Sequence, residues 1–134
     1  GGGGGEAPAT PAGEVRTTGT YAGDWGRITF QFVGDDAWGA YEHDAGTVRG
    51  TLHGDTLVGR WCETPSRQPG QDGGDVELTF VTDADGTRRI DGRWRYGGNA
   101  ANVWRDDWDA TWVDDVADPA LTARFADPAA FCAP

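Results

Sequence analysis

VRGTLHGDTLVGRW, residues 48–61, contains two copies of one pattern: an apolar residue, a spacer, a glycine, a spacer and a large apolar residue. The pattern returns as AWGAY at residues 37–41 and as IDGRW at residues 90–94. Alternate residues of a β-strand share one face. Each copy therefore predicts a strand on which a glycine lies between two bulky groups of the same face.

Turn residues separate these segments at short, regular intervals, which is typical of an antiparallel meander. Consecutive strands with local connections favour an up-and-down barrel, because closure removes both sheet edges. Two sheets packed as a sandwich are the alternative. The sequence predicts an all-β single domain, a small barrel with a short C-terminal helical segment. Its eight strands are expected at residues 20–25, 27–33, 37–42, 47–53, 56–63, 75–82, 88–96 and 107–113.

The central glycines favour a narrow, strongly coiled barrel. Glycine weakens a strand, so its recurrence at equivalent positions needs a compensating reason. We expect each glycine to leave room for a Trp or Tyr ring from a neighbouring strand.

The two ends of the chain differ in composition from this body. Residues 1–18 are rich in Gly, Pro, Ala and Thr, which predicts a flexible tether rather than packed structure. Residues 19–115 form the predicted barrel domain. In the tail, residues 116–134, Asp118 is a helix N-cap residue and Pro119 suits the first helical position. We expect this tail to pack on the sheet or to cap one end of the barrel.

Cys62 and Cys132 are the only cysteines. One disulfide between them would hold the tail to the barrel, contribute about 3–4 kcal/mol in the chain-entropy model, and indicate an oxidising compartment. Two unrelated buried thiols are the alternative. We favour the bridge.

The chain carries 22 acidic residues against 11 arginines and no lysine, for a net charge of −11. A nucleic-acid partner is not expected, because phosphate binding requires a basic surface. Docking on anionic lipid through charge is not expected either. The acidity is best interpreted as a solubility feature.

The stretch GTYAGDWGRITFQFVGDDAWGAYEHDAGTVRGTLHGDTLVGRW, residues 19–61, contains the motifs G-x-Y, G-x-V-x-G and L-x-G-x-W. Over residues 19–113 the chain resembles the Gly/Trp-rich β-meander of uncharacterised bacterial secreted proteins and lipoproteins. In general shape it is similar to avidin-like and lipocalin-like barrels, which hold small molecules at the barrel mouth. The polar residues of an avidin pocket have no counterparts here, so the resemblance implies no particular ligand.

The glycine run at the start resembles the segment that follows the lipid-modified cysteine of bacterial lipoproteins. That resemblance implies a lipid anchor upstream of Gly1 as the only contact with a membrane. An ordinary linker or a cloning remnant is the alternative.

Catalytic and metal-binding patterns are weak, so we expect no enzyme activity, no cofactor and no metal. His43 and His53 lack Glu or Cys at ligand spacing. The only serine, Ser66, lies between prolines and has no nucleophile setting. Two acidic pairs are minor alternatives. Residues 83–86 resemble half of a calcium-binding loop, although a hairpin turn is the preferred interpretation. Glu42 and Glu63 could form the carboxylate pair of a glycosidase.

The best functional hypothesis is a non-catalytic extracytoplasmic binding module, in the periplasm, at the cell surface or secreted. It would recognise a small molecule, a glycan or a partner protein through the barrel mouth and two long polar loops, residues 64–74 and 97–106. A structural envelope or assembly protein with a filled barrel is the alternative, and a hydrolase using Asp or Glu ranks third. The predicted ligand-binding residues are Trp104, Arg67, Asn99, Asn102 and Trp38.

Overall fold

A computed structural model describes residues 14–132 and contains nine strands and a short α-helix. The helix, α1, spans Pro119–Thr122, and 3-10 turns occur at His43–Ala45, Ala123–Ala126 and Pro128–Ala130. The strands are β1 Val15–Thr17, β2 Thr20–Gly23, β3 Gly26–Val33, β4 Asp36–Tyr41, β5 Thr47–His53, β6 Thr56–Cys62, β7 Gly73–Thr82, β8 Arg88–Tyr96 and β9 Arg105–Asp114.

Strands β2 to β9 pair antiparallel in sequence order, and β2 also pairs with β9. The result is a closed eight-stranded barrel, which confirms the predicted fold class and rules out the sandwich. Most strand boundaries differ from the expected ones by one or two residues. The clearest difference is at Trp25, which lies in the turn between Gly23 and Gly26 and not at the end of a strand.

β1 is an addition that the sequence analysis did not predict. Its residues Val15 and Thr17 pair with Val33 and Gln31 of β3. β3 has eight residues and β2 only four, so the second half of β3 would have an unpaired edge without β1. The tether prediction is therefore wrong for Val15–Thr17, and residues 1–13 lie outside the described part of the chain.

The glycine pattern faces the interior, as expected. Gly50 and Gly59 lie directly opposite each other on β5 and β6, between the buried residues Val48 and Leu57. The expected filling of the hollows by Trp or Tyr rings is wrong at all four positions. A Cβ on either Gly50 or Gly59 would collide with the backbone of the neighbouring strand, so these two glycines permit close strand approach.

The other two glycines leave room for side chains, although not for the expected rings. A Cβ on Gly39 would lie 3.0 Å from the ring of Phe30, and one on Gly92 would lie 2.5 Å from a methyl of Leu78. The Gly39 hollow therefore holds a phenyl ring, whereas Gly92 admits the Leu78 methyl and the close approach of β9, whose Trp108 carbonyl oxygen would lie 2.8 Å from the added Cβ.

The barrel interior is divided into two ends by residue type. At the end with the tight hairpin turns, Phe30 packs against Tyr21, Phe32 and Phe80, with ring centroids 5.0–6.5 Å apart. This end is filled by side chains. The opposite end, where β4, β6 and β8 finish and the longer loops lie, is lined mainly by tryptophan.

The C-terminal segment packs on the outer wall of β3, β4 and β5. Three outward-facing residues there, Thr29, Ala40 and Thr47, are completely buried. Leu121 of α1 is also buried, and the Thr47 hydroxyl donates a hydrogen bond of 2.5 Å to the carbonyl of Ala130. The tail thus covers a second, smaller core outside the barrel.

Two further contacts hold this segment. The Asp118 carboxylate accepts a hydrogen bond from the Ala120 N–H, with Pro119 at the first position, which confirms the predicted N-cap. Cys132 forms a disulfide with Cys62, at a Cα–Cα distance of 5.9 Å. The predicted bridge and the tail packed on the sheet are both confirmed. Within residues 14–132, no helix is long and apolar enough to cross a bilayer.

Candidate functional site

The tryptophan-lined end of the barrel contains a small pocket of about 70 Å³. Strand alternation explains its walls, because Trp61 and Glu63 point inward from the end of β6, and Trp94 and Tyr96 do so from the end of β8. The pocket is lined by Trp25, His43, Trp61, Glu63, Trp94, Tyr96 and Trp108.

Glu63 is the acidic group of the pocket, and its side chain is only 14 % exposed. The Tyr41 hydroxyl donates a hydrogen bond of 2.6 Å to its Oε2 atom. Burial raises the pKa of Glu63, although this hydrogen bond opposes the change. Burial, followed by the nearby charge of Glu63, also raises the pKa of Tyr41 well above its ordinary value. Tyr41 therefore acts as a stable donor that fixes the orientation of the carboxylate.

His43 and Asp44 lie at the rim of the pocket, beside Glu63. His43 Nε2 is 3.2 Å from Asp44 Oδ2 and 3.9 Å from Glu63 Oε1. One donor atom from each of the three residues lies within 4.8 Å of the others, so the group could hold a divalent cation. His43 and Asp44 are about half exposed, and such polar groups commonly cluster without an ion. This grouping is not evident from the sequence, because Glu63 is 20 residues from His43 along the chain.

The aromatic walls are held in place by their own hydrogen bonds. The indole N–H groups of Trp61 and Trp94 donate to the Arg95 carbonyl at 3.1 Å and to Asp107 Oδ1 at 2.7 Å. The Trp25 indole N–H donates to the Asp107 carbonyl at 3.0 Å and keeps this turn residue over the barrel end. With their polar edges satisfied, these side chains can offer their ring surfaces to a ligand.

Three of the predicted binding residues shape the loops beside the pocket without lining it. The Arg67 guanidinium donates to the carbonyls of Ala45 and Cys62. Asn99 Oδ1 accepts a hydrogen bond from the Ala101 N–H, and the Asn102 side-chain amide donates to the Tyr96 carbonyl at 2.6 Å. Their polar groups stabilise loop backbone at the same end of the barrel.

The other two predicted binding residues lie on the outer wall, away from the pocket. Trp104 stacks against the guanidinium groups of Arg93 and Arg95, 4.2 and 4.4 Å from its ring centroid. Trp38 lies under Arg49, at 4.2 Å, on the opposite side of its strand from Gly39. The structure therefore does not bring the five predicted residues together.

The minor acidic alternatives have other roles. The Glu42 carboxylate accepts a hydrogen bond from the Arg27 N–H at 2.6 Å, so it is engaged apart from the Tyr41–Glu63 pair. Residues 83–86 form a hairpin turn, in which the Asp85 carboxylate accepts from the Thr87 N–H. The preferred interpretation of that segment as a turn is confirmed.

No protein-family model, curated protein or solved structure matches this chain. The function must therefore be argued from the geometry of the pocket alone. That geometry combines four indoles, one phenol, a largely buried carboxylate and an imidazole around a space of about 70 Å³.

The raised pKa of Glu63 predicts a specific pH dependence of stability. A carboxyl group with a raised folded-state pKa stabilises the fold fully below its ordinary value, near 4.5, and loses that contribution as pH rises through the folded-state pKa. Relative to Glu63→Gln, the wild-type protein should become less stable as pH rises from about 4 to 7. Urea unfolding of both proteins across this pH range measures the difference between their free energies of unfolding. A difference that stays constant, or that changes in favour of the wild type as pH rises, would contradict a raised pKa for Glu63.

Proposed function

We propose that this protein is a non-catalytic binding module that holds the head group of a small ligand in the tryptophan-lined pocket. The observation that carries the proposal is the contrast between the two barrel ends. Packed aromatic rings around Phe30 occupy the turn end, whereas the loop end leaves a space between fixed aromatic walls and a carboxylate. Pockets of this composition, mostly aromatic with few polar groups, are typical of small-molecule sites.

The volume of the pocket limits the size of the ligand group that it can hold. Cavities for whole drug-sized ligands measure roughly 300–1,000 Å³. A space of about 70 Å³ accommodates one small group, with the rest of the ligand outside the barrel end. The filled interior argues against a ligand enclosed along the barrel axis, as in the lipocalin-like barrels.

An extracytoplasmic location belongs to the same proposal. The disulfide between Cys62 and Cys132 supports it, because structural disulfides persist mainly in oxidising compartments. A lipid anchor upstream of Gly1 stays a prediction, and the residue that precedes Gly1 in the gene tests it.

The second candidate is a structural protein of the envelope, and the packed interior favours it. Nuclear magnetic resonance separates the two candidates through the indole N–H signals of Trp25, Trp61 and Trp94. The probes are methyl glucoside, tert-butanol and tetramethylammonium chloride, each titrated to about 100 mM. Saturable shifts of these signals with any probe support a binding module, with the outer-wall residues Trp38 and Trp104 as internal controls. Unchanged pocket signals with all three probes would overturn the proposal.

A further inference from the structure

The aromatic rings that line the pocket are nearly perpendicular to one another and are not stacked in parallel. The ring planes of Trp25 and Trp94 meet at 87°, those of Trp61 and Trp94 at 86°, and those of Trp94 and Tyr96 at 79°. Rings at right angles around a small space offer a guest π surface from several sides. The faces of aromatic rings carry negative electrostatic potential, which attracts cations.

The charged groups of the pocket also favour a positively charged ligand. Glu63 is largely buried, and within residues 14–132 the basic side chain that lies within 4.0 Å of its carboxylate is that of His43, at 3.9 Å. Asp44 adds a second carboxylate at the rim. Glu63 Oε2 accepts the hydrogen bond from Tyr41, so Oε1 is left to face a guest. A positive ligand would supply the counter-charge that this partly desolvated carboxylate lacks.

The protein already places one of its own organic cations on this aromatic cluster. The guanidinium carbon of Arg105 lies 5.2 Å from the ring centroid of Trp94 and 5.5 Å from that of Tyr96. Both distances are within the range of cation–π attraction, about 6 Å. These two rings therefore attract a delocalised, weakly hydrated cation in the folded protein itself.

The volume of the pocket further restricts the chemical group that can bind in it. An apolar cavity of about 150 Å³ is known to hold benzene. The pocket has about half that volume, so it holds about three heavy atoms of a guest, and the rest of the guest lies outside it. A trimethylammonium group can place its methyl groups in such a space, carries a diffuse positive charge and needs no hydrogen bonds from the walls.

We propose that the ligand presents a quaternary ammonium head group, which sits among Trp25, Trp61, Trp94, Trp108 and Tyr96 with its charge toward Glu63. This inference rests on the proposed binding function and specifies its ligand class. The remainder of the ligand extends out of the barrel end past His43. Aromatic cages are the usual means by which proteins recognise quaternary ammonium groups, and Glu63 adds a carboxylate to the cage here.

The test compares tetramethylammonium chloride with tert-butanol, a neutral molecule of similar shape. Indole N–H chemical shifts are followed at constant ionic strength kept with sodium chloride. Tetramethylammonium should bind in the millimolar range, and tert-butanol at least about tenfold more weakly. Glu63→Gln should weaken tetramethylammonium binding about fivefold without loss of the folded spectrum. Glu77→Gln is the matched control, because Glu77 pairs with Arg93 on the outer wall, and it should leave the affinity unchanged.

Each other outcome has a distinct meaning. Equal affinity for tert-butanol, or binding of methyl glucoside alone, would overturn the ammonium assignment and leave the binding module in place. Shifts with zinc chloride but not with tetramethylammonium would overturn it in favour of a metal held by His43, Asp44 and Glu63. Unchanged pocket signals with every probe would overturn both proposals.

Discussion

Removal of the Cys62–Cys132 disulfide should lower the free energy of unfolding by about 4 kcal/mol, since the cysteines are 70 residues apart and a loop of that size has a large closure entropy. The bridge links the end of β6 to the tail that covers Thr29, Ala40 and Thr47. Its loss frees the unfolded chain and also lets the tail leave the outer wall. Small domains have a total stability of about 5–15 kcal/mol, so the bridge supplies a substantial fraction of it.

Guanidinium unfolding followed by tryptophan fluorescence, with and without dithiothreitol, measures this effect. The double variant Cys62→Ser, Cys132→Ser should match the reduced wild type and should not respond to dithiothreitol. A single Cys132→Ser variant should lose about as much stability as the double variant. An unfolding midpoint that reduction does not move would show that the bridge contributes nothing to stability.

Gly59→Val should destabilise the barrel by at least about 3 kcal/mol, at the upper end of the range for overpacked sites. The atoms closest to a Cβ on Gly59 are backbone: the Arg49 carbonyl and the Cα of Gly50, the latter at 2.6 Å. Backbone atoms cannot rotate away as a flexible side chain can. The valine must therefore push β5 and β6 apart, which breaks backbone hydrogen bonds between the two strands.

The neighbouring residue Val58 is the matched control. It is on the same strand, points outward and is 40 % exposed. Val58→Thr keeps the shape of the side chain and should change the unfolding free energy by less than about 0.5 kcal/mol. If Gly59→Val unfolds at the same denaturant concentration as Val58→Thr, close packing of the two strands at Gly50 and Gly59 does not limit stability.

Strand alternation and turn residues were sufficient to predict the barrel, because both signals are local. β1 was missed for a non-local reason: Val15–Thr17 form a strand only where the longer β3 leaves an edge unpaired. The same limit applies to the glycine hollows. Their inward direction follows from alternation, but what occupies each hollow depends on the register of the adjacent strands, as at Gly50 opposite Gly59.

The candidate site was predicted less well than the fold. The two long loops were correctly placed at one barrel end, yet Trp104 and Trp38 lie on the outer wall, and Arg67, Asn99 and Asn102 support loop backbone. A usable signal was present in the alternation of Trp61 with Glu63 and of Trp94 with Tyr96, which places an acid beside aromatic rings at the strand ends. The contact of Glu63 with Tyr41 and His43 could not be read from spacing, since it depends on the register that β4 and β6 share with β5.

The pairing of β2 with β9 has a consequence for biogenesis. The ribosome produces Thr20–Gly23 more than 80 residues before it reaches Arg105–Asp114, so the cylinder cannot shut until both segments have been made. Until then the nascent chain exposes two open borders that attract other extended polypeptides. Long-range pairing of this kind slows folding in general, and an open sheet with unpaired borders is prone to aggregation.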